Sequence, residues 1–167
     1  VTTMFEPWNM KFSSYVWKPE LEPYDAEGHG HSNTGGHGFA KPYAAFTLIT
    51  TTYDYAQFML QMIQGNNPFA LKPDSVQEML RPQVTVNDHI AWGLGWGLTS
   101  GSDGTVFWHW GDIGNFQCVA MGSRDSRTGV LIMTNSEHGL PVCADLIRAT
   151  FGEEYEKPIR TVINENW

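Results

Sequence analysis

Three apolar runs follow one another within residues 105–136, and they restrict the possible folds more than any other feature of the chain. The runs are TVFWHWG, NFQCVAMGS and GVLIMTNS, and their aromatic and β-branched residues favour strands. The polar segment RDSRT joins the last two runs, as expected for a hairpin connection. The segment from Val130 to Met133 is apolar on both faces, so we expect a central strand that is covered on both sides.

Helical patterns flank this β region. The segment TTTYDYAQFMLQMIQG has apolar residues at helical spacing, with Thr51 as an N-terminal cap and Gly65 as a stop. Pro73 and Pro82 bound a second, shorter helix. The segment GLPVCADLIRATFG predicts a closing helix over residues 141–151.

Helices and hairpin-linked strands are segregated along the chain, which predicts the α+β class with an antiparallel sheet packed against helices. We predict a single domain or partial domain with an irregular loop region at 1–49 and a helical segment at 50–82. Antiparallel strands and a closing helix are expected at 88–167. Residues 153–167 are interpreted as a polar tail with a short strand at Thr161–Ile163.

The charge balance argues against two kinds of partner. The chain has 18 Asp and Glu against 10 Lys and Arg, for a net charge of −8, and it contains no basic cluster. A nucleic-acid or anionic-membrane surface is therefore not expected. No apolar run approaches the roughly 20 residues that a bilayer-spanning helix needs, so no membrane span is expected either.

The two cysteines, Cys118 and Cys143, are too few for a disulfide scaffold and too far apart in sequence for a zinc knuckle. Two buried free thiols are the favoured interpretation. A single bridge is the alternative if the two elements that carry them pack together.

The run TVFWHWG carries a histidine and a glycine at alternate positions. In a strand, His109 and Gly111 share one face, and Trp108 and Trp110 share the other. A glycine inside a strand marks a place where a backbone or a ligand comes close, and a neighbouring histidine can donate a hydrogen bond. On spacing alone, a core histidine beside a simple bulge is the favoured interpretation.

Several segments stand in an order that a known enzyme family shares. FWHWGDIGNF precedes a strand, then GVLIMTNS and the closing helix, while MFEPWNMKFSSY, YAAFTLITTTYDYAQFM and LKPDSVQEMLRPQ lie upstream. In this order the chain resembles the C-terminal part of the serine β-lactamase and penicillin-binding-protein superfamily. The resemblance is best to its class C-like branch, which includes esterases and D-amino-acid peptidases. It covers nearly the whole chain and implies the C-terminal portion of a β-lactamase-like fold.

The family's motif on this strand is His-x-Gly or Lys-Thr-Gly, and it stands here as His109-Trp110-Gly111. The resemblance implies that a substrate acyl chain pairs with the strand and that Gly111 leaves room for it. It implies that the backbone N–H of Asp112 forms half of the oxyanion hole, and that His109 hydrogen bonds to the substrate or to a catalytic tyrosine. The residues expected to contact the substrate are Trp110, Gly114 and Asn115. Trp110 replaces the small residue that is frequent there, which leaves the substrate preference open.

The family's nucleophile motif, Ser-x-x-Lys, is absent, because no lysine has a serine three positions before it. The second motif, Tyr-x-Asn or Ser-x-Asn, is absent as well. The chain therefore resembles the C-terminal half of a serine hydrolase that acts through an acyl-serine on an ester, amide, peptide or β-lactam. The expected partner, besides a small-molecule or peptide substrate, is the missing N-terminal half or a second copy. The resemblance implies no cofactor and no metal, and it suggests a periplasmic or extracellular location.

A non-catalytic binding module is the first alternative, in which tryptophans bind a carbohydrate or a peptide. The candidates are Trp92, Trp96, Trp108 and Trp110. They fall in strands that should be covered on both faces, so core packing explains them better.

A metal site in the tract GHGHSNTGGHG is the second alternative. His29, His31 and His37 lie there, and alternate histidines on an extended loop do occur in metal sites. No carboxylate or cysteine within the tract completes a ligand set, so a solvated, flexible loop is the better interpretation.

Overall fold

The computed structural model of this protein describes residues 4–31, 41–65 and 71–165. A short 3₁₀ helix at Pro19–Tyr24 lies in the irregular N-terminal region. The helices are α1 (Thr52–Gln64), α2 (Pro73–Met79), α3 (Gly139–Phe151) and α4 (Glu153–Glu165). The strands are β1 (Val84–Thr85), β2 (Ile90–Trp92), β3 (Gly97–Gly101), β4 (Gly104–Asp112), β5 (Gln117–Ser123) and β6 (Thr128–Thr134).

The strands form one antiparallel sheet in the order β1-β2-β3-β4-β5-β6, so every strand pairs with its neighbours in sequence. Successive side chains of a strand point to opposite faces, and two cores result. On one face, Phe107 and Ala120 pack with Met62 of α1. On the other face, Trp108 packs with Ile147 of α3. The predicted α+β class, with an antiparallel sheet packed against helices, is confirmed.

Helix α1 is set by local signals at both ends. The Thr51 side chain accepts a hydrogen bond from the Asp54 backbone N–H at 3.2 Å, which satisfies one of the free donors of the first turn. Gly65 ends the helix in the left-handed conformation, with φ 65°, which a glycine adopts without strain. The predicted cap and stop are both confirmed.

Strand β6 was predicted to be covered on both faces and to lie in the middle of the sheet. The first part is confirmed, because Ile132 packs in the core beneath α3 and Leu131 packs against the core beneath α1. The second part is wrong, because β6 is an edge strand of the six described here. An apolar pattern on both faces reports the layers above and below a strand, and it carries no information about lateral neighbours.

Helix α4 corrects the prediction of a polar tail with a short strand at Thr161–Ile163. Residues Glu153–Glu165 are helical, and Tyr155, Ile159 and Ile163 are buried at i, i+4 and i+8. Three apolar residues at this spacing are enough to seat the helix on the sheet. Their signal was hidden by the polar residues between them and by Pro158, which lies inside the helix.

The two cysteines are free thiols on opposite faces of the sheet. Cys143 packs in the core beneath α3. Cys118 lies two positions before Ala120 on β5, so the two side chains share the face that α1 covers. Both thiols are free, as predicted, and no bridge joins them; Cys143 is buried as expected, whereas Cys118 is half-buried. Among the described helices, none has the length and apolarity to cross a bilayer.

Candidate active site

The two ends of β4 differ in how they are paired. Residues Gly104–Trp108 pair with β3 on one side, and Val106–Asp112 pair with β5 on the other. From His109 to Asp112, no described strand pairs with the second edge. A backbone edge of this kind can accept an extended ligand by strand addition.

A buried tryptophan anchors β4 just before this free edge. Trp108 is fully buried, and its Nε1–H donates to Thr99 Oγ1 at 3.0 Å. A side chain at Gly97 would collide with the indole ring, since its Cβ would lie 2.6 Å from Cε2 of Trp108. The second glycine of GWG, Gly97, therefore makes room for the Trp108 ring on the adjacent strand. Core packing is the correct interpretation for Trp96 and Trp108, whereas Trp92 and Trp110 are half-buried.

His109 lies at the start of the free edge and is exposed, so the interpretation as a core histidine is wrong. Its Nδ1 lies 2.7 Å from the Trp110 carbonyl oxygen. A carbonyl oxygen only accepts, so the ring donates through Nδ1–H, and Nε2 keeps its lone pair in the neutral form. The ring also contacts Trp92 and Trp110, with centroids 5.9 Å and 5.8 Å away. The aromatic neighbours and the hydrogen bond together fix the orientation of the imidazole.

Gly111 lies opposite Cys118 on β5, and the thiol restricts what can stand at this position. A Cβ at Gly111 would meet the Cys118 sulfur at 3.0 Å, which is tighter than most real contacts. Burial raises the pKa of the Cys118 thiol, and a hydrogen bond from the Gly111 backbone opposes this shift in part. Packing beneath the strand therefore disfavours a larger side chain at this position, in addition to any requirement of a ligand.

The Asp112 side chain closes the turn after β4. Its Oδ1 accepts from the Gly114 N–H at 2.6 Å, and its Oδ2 accepts from Gln117 Nε2 at 2.7 Å. Gly114 has φ 80°, a left-handed conformation that favours glycine. Gln117 in turn accepts from the Leu140 N–H at the start of α3, at 2.9 Å. The carboxylate therefore fixes the backbone whose N–H the family resemblance implies as an oxyanion donor. The sequence did not show this role of the side chain.

Asn115 is buried, so it does not lie on the free edge. It lies beneath the segment Glu27–His31, which we name the strap: a Cβ at Gly28 would meet the Asn115 Cβ at 2.7 Å. Among the residues expected to contact a substrate, the structure thus places Trp110 beside His109, Gly114 in the turn and Asn115 beneath the strap.

The strap corrects part of the interpretation of the histidine tract. His29 pairs with Ser136 in a parallel bridge, so Glu27–His31 is hydrogen bonded rather than a free loop. His37 lies outside the described residues. Within the described ranges, no group of three His, Cys, Asp or Glu side chains could hold a metal ion.

Two residues of α1, Tyr55 and Asp54, have buried contacts that the sequence pattern did not predict. Tyr55 lies near Cys118, and burial raises its pKa to about 12, so its hydroxyl stays protonated at neutral pH. Asp54 is buried, and its Oδ2 accepts from the Phe12 N–H at 2.6 Å and from the Ser13 hydroxyl at 2.9 Å. Asp54 therefore ties the N-terminal segment to α1.

The Beta-lactamase family model matches residues 2–151, so the chain belongs to the Beta-lactamase family. Two similar solved structures are penicillin-binding proteins. The octameric penicillin-binding protein homologue from Pyrococcus abyssi matches with a TM-score of 0.72 and 19% identity, over 89% of this chain and 35% of that one. The penicillin-binding protein from Bacillus halodurans matches with a TM-score of 0.67 and 19% identity, over 86% of this chain and 46% of that one. No curated protein matches the sequence.

These comparisons establish a β-lactamase-like and penicillin-binding-protein-like fold, which is a fold of serine hydrolases. The chain spans less than half of the length of either solved structure. All of α4 lies beyond the matched residues 2–151, although its apolar side chains complete the core beneath α3.

Proposed function

We propose that this chain supplies the substrate-binding strand and one oxyanion donor of a serine hydrolase whose nucleophile and base lie outside it. The observation that carries the proposal is the free edge of β4 at His109–Asp112. It is held in place by β5, by the Asp112 carboxylate and by the aromatic contacts of His109.

In the proposed reaction, a serine hydroxyl from outside the chain attacks the carbonyl carbon of the substrate and passes its proton to a base. The Asp112 N–H donates a hydrogen bond to the oxygen that becomes negative in the tetrahedral intermediate. The loss of one such donor typically lowers the rate about 10²- to 10³-fold. Nδ1 of His109 is engaged with the Trp110 carbonyl oxygen, so we assign Nε2 to a polar group of the substrate.

The substrate class is an ester, an amide, a peptide or a β-lactam, since all four pass through the same tetrahedral intermediate and acyl-serine. The proposed partner is an N-terminal half with the nucleophile, or a second copy of the chain. The homologue from Pyrococcus abyssi is octameric, which is compatible with self-association in this family.

Covalent labelling tests where the nucleophile lies. We expect no mass increase when this chain is incubated with a fluorophosphonate or a penicillin, because it contains no Ser-x-x-Lys. A penicillin-binding protein in the same mixture serves as the positive control. Stoichiometric labelling of one serine of this chain would contradict the proposal.

The coding sequence upstream of the Val1 codon gives a second test. We expect it, or a neighbouring gene, to encode Ser-x-x-Lys followed by Tyr-x-Asn. Co-expression of that segment with this chain should restore hydrolysis of a chromogenic ester and formation of an acyl adduct. A complex that assembles and stays inactive would refute the proposal.

A further inference from the structure

The strap connects two parts of the molecule that are distant in sequence. The His29 N–H donates to the Asn135 carbonyl at 2.6 Å, and the Glu137 N–H donates to the His29 carbonyl at 3.1 Å. The Asn135 side chain donates to the Glu27 carbonyl at 2.8 Å. Three hydrogen bonds therefore hold the strap against the loop between β6 and α3.

The strap also crosses the turn that follows Asp112. A Cβ at Gly28 would lie 3.0 Å from the Phe116 ring and closer still to Asn115. A Cβ at Gly30 would collide with the side chains of Asn115 and Glu137. The alternate glycines of GHGH are needed because the backbone passes directly over the turn.

One carboxylate clamps the far end of the strap. Glu137 Oε2 accepts from the His31 backbone N–H at 2.8 Å, and Oε1 lies 2.8 Å from His31 Nδ1. Among the described residues, His138 also lies beside this carboxylate, with Nε2 at 3.6 Å from Oε1. The imidazole of His31 is exposed, while the Glu137 side chain is mostly covered.

We propose that Glu137 is a positioning residue, which clamps the strap over the turn Ile113–Phe116 and so keeps the backbone after Asp112 ordered. The clamp is built from a carboxylate and imidazoles, so the order of the turn depends on pH. Its bearing on catalysis rests on the proposed function, whereas the existence of the clamp does not.

The direction of the pH dependence follows from the two partners. The hydrogen bond and the charge of Glu137 raise the pKa of His31 above 6.5, so this contribution is complete below pH 6.5 and is lost as the pH rises through the raised value. The hydrogen bonds from His31 lower the pKa of Glu137 below 4.5, so its contribution is complete above pH 4.5 and is lost as the pH falls through the lowered value. The clamp is therefore strongest between pH 4.5 and 6.5.

Amide hydrogen exchange of the full chain, followed by NMR, tests the clamp. The readout is the protection factor of the His29 and Gly114 amides, corrected for intrinsic exchange and divided by that of Val119 in β5. We expect Glu137→Ala to lower both ratios about 2- to 10-fold at pH 5.5, a factor that corresponds to the net free energy of one hydrogen bond. The wild-type ratios should fall both at pH 3.5 and at pH 8.

Three further variants separate charge from shape. Glu137→Gln keeps an acceptor for the His31 N–H, so we expect partial protection with a flattened pH profile. His31→Gln removes only an exposed side chain, so the chain should fold, and the same flattening should appear with a loss of about 1.5- to 5-fold at pH 5.5. Glu78→Ala is the matched control, because Glu78 is an exposed glutamate that pairs with Arg81, and it should leave both ratios unchanged.

Two results would overturn the proposal: equal His29 and Gly114 protection in Glu137→Ala and the wild type, or a wild-type pH profile identical to that of Glu137→Gln. Neither measurement uses catalysis. A failed clamp would leave the proposed hydrolase function standing, and a failed labelling or co-expression test would leave the clamp standing.

Discussion

The two halves of β4 belong to one continuous strand and both carry aromatic side chains, yet they are held in different ways. In the first half, Gly104–Trp108, every residue pairs with β3, and Val106–Trp108 also pair with β5, so their apolar side chains enter both cores. Among the described strands, only β5 pairs with His109–Asp112, and His109 is exposed. The second half is held by the hydrogen bonds of the Asp112 carboxylate to Gly114 and Gln117, and the Cys118 thiol lies against Gly111.

This difference separates stability from function along one strand. The first half is fixed by burial and by the ladder, so substitutions there should unfold the protein. The second half is fixed by a few polar contacts and keeps one backbone edge open. Substitutions there should change the geometry of the site more than the free energy of unfolding. Four substitutions test this division.

Trp108→Ala should have the largest effect on stability. The ring is fully buried, and its loss leaves a cavity and removes the hydrogen bond to Thr99, so we expect about 3–5 kcal/mol of destabilisation. Urea denaturation followed by circular dichroism measures it. Tyr53→Ala, at an exposed aromatic of α1, is the control and should stay within about 0.5 kcal/mol. A loss below about 1 kcal/mol for Trp108→Ala would show that the first half is not the anchor.

Asp112→Ala should have the next largest effect, because it removes two hydrogen bonds to a carboxylate. We expect about 1.5–3 kcal/mol of destabilisation and faster exchange of the Gly114 amide. Asp112→Asn is the control, since it keeps an acceptor for the Gly114 N–H. Unchanged stability and unchanged Gly114 exchange in Asp112→Ala would show that the carboxylate does not hold the turn.

Gly111→Ala should cost about 1–2 kcal/mol by overpacking against the Cys118 sulfur. The double variant Gly111→Ala with Cys118→Ala should recover most of this loss. In the assembled hydrolase that we propose, the double variant tests whether the cleft also needs the glycine. If kcat/KM stays low while stability is restored, the substrate requires glycine at this position. If activity recovers together with stability, packing against Cys118 is the only requirement. Gly111→Val should lower both the stability and kcat/KM further than Gly111→Ala does.

His109→Ala should have the smallest effect on stability, within about 0.5 kcal/mol, because the ring is exposed. In the assembled hydrolase, kcat/KM should fall about 10²- to 10⁴-fold, the range for hydrogen-bond or acid-base assistance. Phe107→Ala, one position earlier and buried, is the opposite control, with a large loss of stability. Destabilisation by His109→Ala of more than about 1 kcal/mol would show that His109 contributes to stability as the residues of the first half do.

The features that the sequence predicted correctly depend on near neighbours in the chain. Thr51 and Gly65 bound α1 because a cap and a left-handed glycine act within one helical turn. The alternation in β4 separates Phe107 from Trp108 because the strand period is two residues. The roles of His109, Gly111 and the Asp112 N–H stay predictions, although the structure shows the free edge that these roles require.

Local pattern by itself therefore determined the helices up to α3, the strand faces and the candidate strand β4. Only the tertiary structure decided that β6 is an edge strand, that α4 packs on the sheet, that Asp112 closes a turn and that the strap reaches Glu137. The physical reason is distance: His31 and Glu137 are 106 positions apart, and a hydrogen bond depends on separation in space. Periodicity indicates which way a side chain points, whereas the packing of the whole chain determines which residue it contacts.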